Sequence, residues 1–326
     1  MNTLYPLKFQ PVFKDKIWGG RKIKDVLGMD FGKLPNCGEV WVVSGVEGNP
    51  TLVKNGFLAG NELNELVSVY MGDLVGDDVY DKFGDEFPLL IKYIDANDWL
   101  SIQVHPDDEL AAKRKIGHGK TEMWYIIEAG KGAELISGFR QKVDKETYQK
   151  YLNESRLKEI LNFEKVEKGD VFFIPAGRVH SLGPDILLAE IQQTSDTTYR
   201  IYDWDRIDAS GMKRELHTKE ALDAIDFEVA DNYKTRYKPE KNKTIPLVRC
   251  PQFTTNLLEY DQAMSKDFEE IDSFIIYMGV EGSSVLKWEG GEEKIVPGEA
   301  VVVPNAINNV ELRPEGKAKL LEVYLT

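Results

Sequence analysis

The sequence predicts a mainly β protein made of two β-barrel units with a few satellite helices. Two observations predict it: strand-like runs dominate the chain, and one Gly-acidic-apolar-Pro segment occurs twice in outline. Lys168-Gly-Asp-Val-Phe-Phe-Ile-Pro-Ala-Gly-Arg-Val-His180 returns as Pro297-Gly-Glu-Ala-Val-Val-Val-Pro-Asn-Ala-Ile-Asn-Asn309. A strand entered through a Gly turn and left at a Pro is thus used twice. His180 falls on Asn309, so the second copy has lost the imidazole. We therefore divide the chain into 1–230, a catalytic metal-binding unit with small helical additions, and 231–326, a C-terminal β unit without a metal site. Asp231–Lys243, rich in Lys, Asn and Tyr, reads as the linker.

The strand signals are short β-branched and aromatic runs bounded by Gly, Pro, Asn or Asp. They fall at Val40–Val43, Leu89–Tyr93, Leu100–Val104, Met123–Ile127, Val171–Ile174, Ile186–Gln192, Phe274–Met278 and Val301–Val303. Helical patterns lie between them at Lys22–Leu27, Asn61–Val67, Lys145–Asn153, Ser155–Leu161 and Thr218–Ile225, the last with Thr218 as its N-cap.

Composition narrows the function. Fifty-five Asp and Glu against 41 Lys and Arg leave a net charge of -14, which repels nucleic acid and anionic membranes. A small anionic ligand is still accommodated, because local cations outweigh a distant field that salt screens over about 8 to 10 Å. Cys37 and Cys250 are far apart and form no C-x-x-C pair, so neither a disulfide framework nor a thiolate metal site is expected. Met1 to Gln10 has no export pattern, and no apolar run reaches the length of about 18 residues for a membrane span. The expectation is a cytoplasmic protein, a monomer or small homo-oligomer.

The chemistry concentrates in Ser101-Ile-Gln-Val-His-Pro106. Side chains alternate along a strand, so Ser101, Gln103 and His105 share one face while Ile102 and Val104 take the other. Glu122 opens the next strong strand. His180 closes Gly169-x5-Pro175-x-Gly177-x2-His180, where a Gly turn and a rigid Pro fix the approach of a strand end. Gln103, His105, Glu122 and His180 would offer one amide oxygen, one carboxylate and two imidazoles to a single cation. Such N and O donors suit zinc, and equally manganese, iron or nickel. Of the other two histidines, His118 sits in a Gly117-His-Gly-Lys120 loop and reads as a surface group or a wall of the site mouth. His217 precedes the Thr218 cap and reads as a capping or surface residue.

At this point a family resemblance becomes specific. The Gly169 to His180 segment resembles the second metal motif of the cupin superfamily. Phe87-Pro-Leu-Leu-Ile-Lys-Tyr-Ile, Leu-Ser-Ile-Gln-Val-His-Pro-Asp-Asp and Gly-Lys-Thr-Glu-Met-Trp resemble type I mannose-6-phosphate isomerases. Glu190-Ile-Gln-Gln-Thr-Ser-Asp-Thr-Thr-Tyr-Arg-Ile-Tyr-Asp-Trp-Asp-Arg206, with Trp18-Gly-Gly and Gly38-Glu-Val-Trp41, is similar to the short bacterial branch. The resemblance implies two cupin-like jelly-roll units and one zinc ion per chain on Gln103, His105, Glu122 and His180. It places Arg200 over the metal pocket, with Lys92, Ser101, Lys120, Glu190 and Asp196 lining it. Arg206 falls where longer relatives carry a Lys near the phosphate. The chain lacks the large helical insertion of the longer enzymes, and Gly119-Lys-Thr-Glu122 lacks the His of their His-Lys-Pro-Glu.

The activity so implied is interconversion of mannose 6-phosphate and fructose 6-phosphate through an enediolate. Metal and Arg200 would hold the growing negative charge. Glu190, on the strand face of Leu188 and Gln192, is the candidate base, with Lys120 competing. Glu190 as a carboxylate that only orients Arg200 is the plainer reading. Ser101, Lys92 and Arg206 would meet the phosphate, although Arg206 equally suits an ion pair with Asp203 or Asp205. The rival functions are a cupin that binds a sugar phosphate as a sensor, and an iron-dependent cupin dioxygenase.

Overall fold

Runs of β-branched and aromatic residues favour extended backbone because their side chains pack across a pleated surface. The computed structural model, which describes residues 3–207 and 211–325, arranges them in three antiparallel sheets. The strands begin with β1 (Leu7–Lys8), β2 (Val12–Lys14), β3 (Glu39–Val43), β4 (Leu89–Ala96), β5 (Ile102–Val104), β6 (Glu122–Ala129) and β7 (Glu134–Phe139). Next come β8 (Leu161–Lys165), β9 (Val171–Ile174), β10 (His180–Leu182), β11 (Ile186–Gln193) and β12 (Tyr199–Tyr202). The C-terminal part adds β13 (Lys243–Arg249), β14 (Thr254–Tyr260), β15 (Met264–Asp267), β16 (Ile275–Trp288), β17 (Gly291–Ile295), β18 (Ala300–Val303) and β19 (Asn309–Tyr324).

Two of the sheets build the first unit, a six-stranded one ordered β2-β3-β4-β11-β6-β9 and a five-stranded one ordered β12-β5-β10-β7-β8. Trp124, Ile126, Leu188 and Ile94 of the six-stranded sheet share a core with Leu135 and Leu182 of the other, so the two sheets enclose an interior. Ile102 and Val104 point the opposite way, into a second cluster with Tyr148 and Ala221 of the helices Lys145–Asn153 and Thr218–Ala224. The alternation expected around Gln103 is therefore realised, with the aliphatic face sealed by helices.

The third sheet, β1-β18-β16-β19-β14-β13 with β15 and β17 attached, is C-terminal except for its first member. Leu7 pairs with Val302 and Lys8 with Val301, so the N-terminal strand crosses to the C-terminal sheet. Tyr93, Tyr125 and Ile191 on the outer face of the six-stranded sheet pack in one core with Met278, Val302 and Leu321. The stretch Asp231–Lys243 is fastened to the first unit: the Tyr233 hydroxyl donates to Phe139 O at 2.8 Å and that of Tyr237 to Gly169 O at 2.6 Å.

The repeated segment has the same backbone twice. Gly169 and Gly298 take φ of 89° and 84°, left-handed values that strain any residue with a Cβ. Each leads into a short buried strand, β9 or β18, and His180 and Asn309 each open the strand after it. The Trp18-Gly-Gly motif marks a close approach: a Cβ on Gly19 would lie 2.5 Å from Gly38 N, and one on Gly20 2.6 Å from Asp95 Oδ2.

Two helix expectations need correction. Ser155–Leu161 holds only the 3-10 turn Leu157–Glu159, because Ser155 turns left-handed at φ 57° and Leu161 is taken into β8. Thr218 is the first helical residue and not the cap; His217 precedes it and makes no side-chain cap bond. The helix Asp108–Arg114, not foreseen, starts at Asp107, whose carboxylate accepts from Leu110 N at 2.8 Å.

Asp95, next to last in the buried strand β4, has one oxygen accepting from Lys22 N at 2.6 Å and the other without a partner. Burial pushes its carboxyl up to about 6. The folded state thus favours the protonated form, so this contribution to stability is full below the unfolded carboxyl range and is lost as pH rises through about 6. Asp95→Asn keeps an acceptor and removes the charge. It is expected to stabilise the protein at pH 7 by about 2 kcal/mol and to have no such effect at pH 4, measured by urea unfolding at both; equal effects at the two pH values would contradict this.

Candidate metal centre and active-site cavity

Register brings the predicted ligands together. His180 of β10 lies directly opposite Gln103 of β5, and Gln103 lies opposite Arg200 of β12, so the three form one row across the five-stranded sheet. His105 follows β5 two residues after Gln103, on the same face. Glu122 comes from the six-stranded sheet, where it pairs with Ile174 of β9 and Gln192 of β11. Its carboxylate thus meets the imidazoles across the barrel interior. The possible donor atoms of His105, Glu122 and His180 all lie within 4.8 Å of one another, and all three residues are buried.

The protonation state of both imidazoles follows from their outer nitrogens. His105 Nδ1 is 2.9 Å from Thr197 O and His180 Nδ1 is 2.8 Å from Arg178 O. A backbone carbonyl only accepts, so each Nδ1 carries the proton and each Nε2 presents a lone pair. Burial keeps both rings neutral, pushing His180 down to about 3 and His105 well below its usual range, with the Lys120 ammonium adding to the latter. Those lone pairs lie against a carboxylate: His180 Nε2 is 3.3 Å from Glu122 Oε1 and His105 Nε2 is 3.5 Å from Oε2. Neither Glu122 oxygen accepts a well-formed hydrogen bond.

Acceptors crowded against acceptors repel unless positive charge is shared among them; the Lys120 ammonium supplies some of it to His105 and Glu122, and two neutral imidazoles converging on one buried carboxylate fit a divalent cation. Burial raises the Glu122 carboxyl, with Lys120 opposing the rise. Lys120 Nζ lies 3.1 Å from Glu122 Oε2 and 3.0 Å from His105 Nε2. Gln103 Nε2 stands 3.2 Å from His180 Nε2, and turning the amide end for end would place its oxygen there.

Above the cluster opens a cavity of about 300 Å³, lined by Ser101, Gln103, Lys120, Glu190, Lys92, Asp196 and Arg200 together with Lys16, Trp18, Glu39, Trp124, Thr198 and Arg214. A second row of paired residues runs along its wall: Trp124, Glu190 and Lys92 line the cavity side by side on β6, β11 and β4, and Trp41 continues the row on β3. Glu190 Oε1 accepts from Trp124 Nε1 at 2.8 Å, and Oε2 lies 3.1 Å from Lys92 Nζ. Burial would push the Glu190 carboxyl up, but Lys92 and Lys120 outweigh it and hold the carboxylate ionised below its usual range. Likewise Glu39, which accepts from Trp41 Nε1 at 2.8 Å, is held at about 2 against its burial by Lys92 and Lys16. Lys92 in turn is raised, since Glu190 and Glu39 overcome its burial.

Glu190 is therefore partnered by Lys92 and Trp124, not by Arg200. The Arg200 guanidinium donates through Nη1 to Glu215 O at 2.8 Å, and its buried Nε has no partner. Arg206 does not line the cavity. It donates to Asp203 at 2.6 Å and to Trp99 O at 2.5 Å, with Asp98 at 3.6 Å. Alongside Arg200, the guanidinium that lines the cavity is that of Arg214, which the sequence reading missed because it lies in no motif. Trp18 and Glu39 were within quoted motifs, and only their spatial placement identifies them as walls. His118 stays outside, 2.8 Å from Glu86, and His217 backs the Arg200 backbone.

Facing sheets with a buried His/Glu/His cluster under a charged cavity define a cupin-type protein with a site able to hold a metal ion. The family model "Phosphomannose isomerase type I, catalytic domain" matches residues 6–142. The chain is 35% identical over 311 residues to the mannose-6-phosphate isomerase ManA of Bacillus subtilis, covering 90% of this chain and 94% of that one. It is 33% identical over 305 residues to the mannose-6-phosphate isomerase of Streptococcus mutans, covering 93% and 94%. A crystal structure of the mannose 6-phosphate isomerase from Bacillus subtilis superimposes with a TM-score of 0.87 at 31% identity, over 98% of this chain and 99% of that one. The chain belongs to the type I phosphomannose isomerase family.

His180→Ala removes one neutral donor and leaves the Glu122 carboxylate with a single imidazole. Bound divalent metal, measured by elemental analysis of the purified variant after dialysis, is expected to fall well below one per chain, since losing a ligand costs at least the roughly 10- to 100-fold in affinity that losing an outer-shell partner does; stoichiometric metal in the variant would remove His180 from the ligand set.

Proposed function

We propose that this chain interconverts mannose 6-phosphate and fructose 6-phosphate, with zinc held by Gln103, His105, Glu122 and His180. The observation that carries this reading is the buried carboxylate of Glu122 set against two neutral imidazole lone pairs, in contact with Lys120, which lines a cavity rich in cations. Five cationic side chains line that cavity against three carboxylates, a surplus that suits a phosphorylated ligand. When bound, the metal acts as a Lewis acid toward the sugar oxygens. The free thiols Cys37 and Cys250 fit a reducing compartment, and the cytoplasm is our reading. Residues 1–230 form the catalytic unit in this proposal, and 231–326 a companion without metal.

The chain's own groups divide the work. Glu190, ionised and placed on the cavity wall, takes the proton from C2 of the aldose and returns it to C1 while the O2 hydroxyl proton passes to O1, so that the carbonyl moves from C1 to C2; Oε2 is its oxygen lacking a well-formed hydrogen bond. Lys92 beside it balances its charge in the resting state and keeps it oriented. As the C2 proton leaves, negative charge grows on the sugar oxygens, and Arg200 donates to it through a guanidinium that stays charged throughout. Lys120, next to the cluster, competes with Glu190 for the proton-transfer role. Ser101 and Lys92 meet the phosphate, with Arg214 in front and Arg206 behind it.

A coupled assay from mannose 6-phosphate with zinc restored is expected to give turnover. No turnover under those conditions would favour a sensor, and stoichiometric iron with oxygen uptake would favour a dioxygenase. Arg200→Ala is expected to keep the metal and lose about 100- to 1000-fold in kcat, the cost of removing an oxyanion donor. In Glu190→Gln, exchange of the C2 proton with solvent should stop while substrate still binds; continued exchange would move the base role to Lys120.

A further inference from the structure

Asp203 follows β12 directly, and only 6% of its side chain is exposed. Two guanidiniums share it. Arg206 donates to Oδ1 at 2.6 Å, while Arg214 grips it with a fork, Nε to Oδ2 at 2.7 Å and Nη2 to Oδ1. The two arginines then differ. Arg206 is closed off behind by Trp99 O and lies outside the cavity lining, whereas Arg214 lines the cavity together with Ser101 and Arg200. An arginine side chain left free must be ordered each time a ligand binds, and two parallel bonds to a fixed carboxylate settle that cost beforehand.

We propose that Asp203 is a positioning residue for phosphate recognition: it holds Arg214 side-on at the cavity, and so sets affinity for the phosphorylated end of the sugar without touching the reacting carbons. The proposal rests on the isomerase reading above. Electrostatics alone predicts the opposite effect. Removing the Asp203 charge makes the surroundings of Arg200, Arg206 and Arg214 more positive, which by itself would tighten phosphate binding. Positioning predicts that binding weakens, so the sign of the change separates the two.

The test uses the metal-loaded full chain and inorganic phosphate as the probe, bound by calorimetry and scored as a competitive inhibitor against mannose 6-phosphate. In Asp203→Asn, the phosphate Kd and the KM are expected to rise together about 3- to 10-fold, the worth of one pre-ordered long side chain, with the loss falling on KM and not on kcat. Unchanged or tighter phosphate binding would overturn the proposal, as would a drop confined to kcat. In an Arg214→Met background, Asp203→Asn should add no further loss, since the carboxylate acts through that arginine; additive losses would mean that Asp203 works by another route. Should Asp203→Asn fail to fold, Arg214→Lys keeps the charge and loses the fork, and unchanged phosphate affinity there overturns the proposal equally. Because calorimetry needs no turnover, absent isomerase activity with normal phosphate binding would fault the function reading and leave this one standing.

Discussion

Three lone-pair donors pressed together out of reach of water are the constraint on which the active unit is built. His105, Glu122 and His180 would repel one another in an unshielded interior, and a cation shared among them turns that repulsion into coordination. The protein prepares for it from behind: each imidazole is fixed by a carbonyl acceptor on Nδ1, which sets the tautomer and aims Nε2 inward. The two sheets must face each other for this to happen, since the histidines and the glutamate belong to different ones.

Lateral strand pairing does the rest of the positioning. Residues directly opposite on neighbouring strands stand about 5 Å apart, so one register brings His180, Gln103 and Arg200 into line, and another brings Trp124, Glu190, Lys92 and Trp41 into line. The first row holds two of the candidate metal ligands and, in the proposed reaction, the oxyanion donor. The second supplies a wall of alternating charge in which Lys92 is held between Glu190 and Glu39, protonated because its partners are ionised.

The C-terminal sheet repeats this plan without its chemistry. Asn256, Glu322 and Tyr277 stand side by side on β14, β19 and β16, as Lys92, Glu190 and Trp124 do on β4, β11 and β6. Glu322 accepts from the Tyr277 hydroxyl at 2.9 Å and from Asn256 at 3.1 Å, while Lys266 pairs with it at 2.8 Å. Both carboxylate oxygens are satisfied, so here the buried charge is spent on holding strands together. Glu122 differs: its oxygens accept no well-formed bond and face two imidazoles and Lys120, as the proposed metal site requires.

Local pattern was enough to read the strands, the repeated Gly-to-Pro segment and the shared face of Gln103 and His105, because pleat alternation and turn chemistry act over a few residues. Lys92 in Leu89–Ala96 and Glu190 in Ile186–Gln193 were assigned to the cavity wall by the family resemblance and not by local pattern. Family motifs extended that reach to Arg200 and Asp196. Tertiary structure alone decided that β1 crosses to the C-terminal sheet, that Ser155–Leu161 holds a 3-10 turn and the start of β8 in place of a helix, and that Arg214 lines the cavity while Arg206 stands behind it. These outcomes depend on pairings between segments far apart in the chain and on which of two neighbouring guanidiniums a single carboxylate turns inward, and neither leaves a periodic trace in the order of residues.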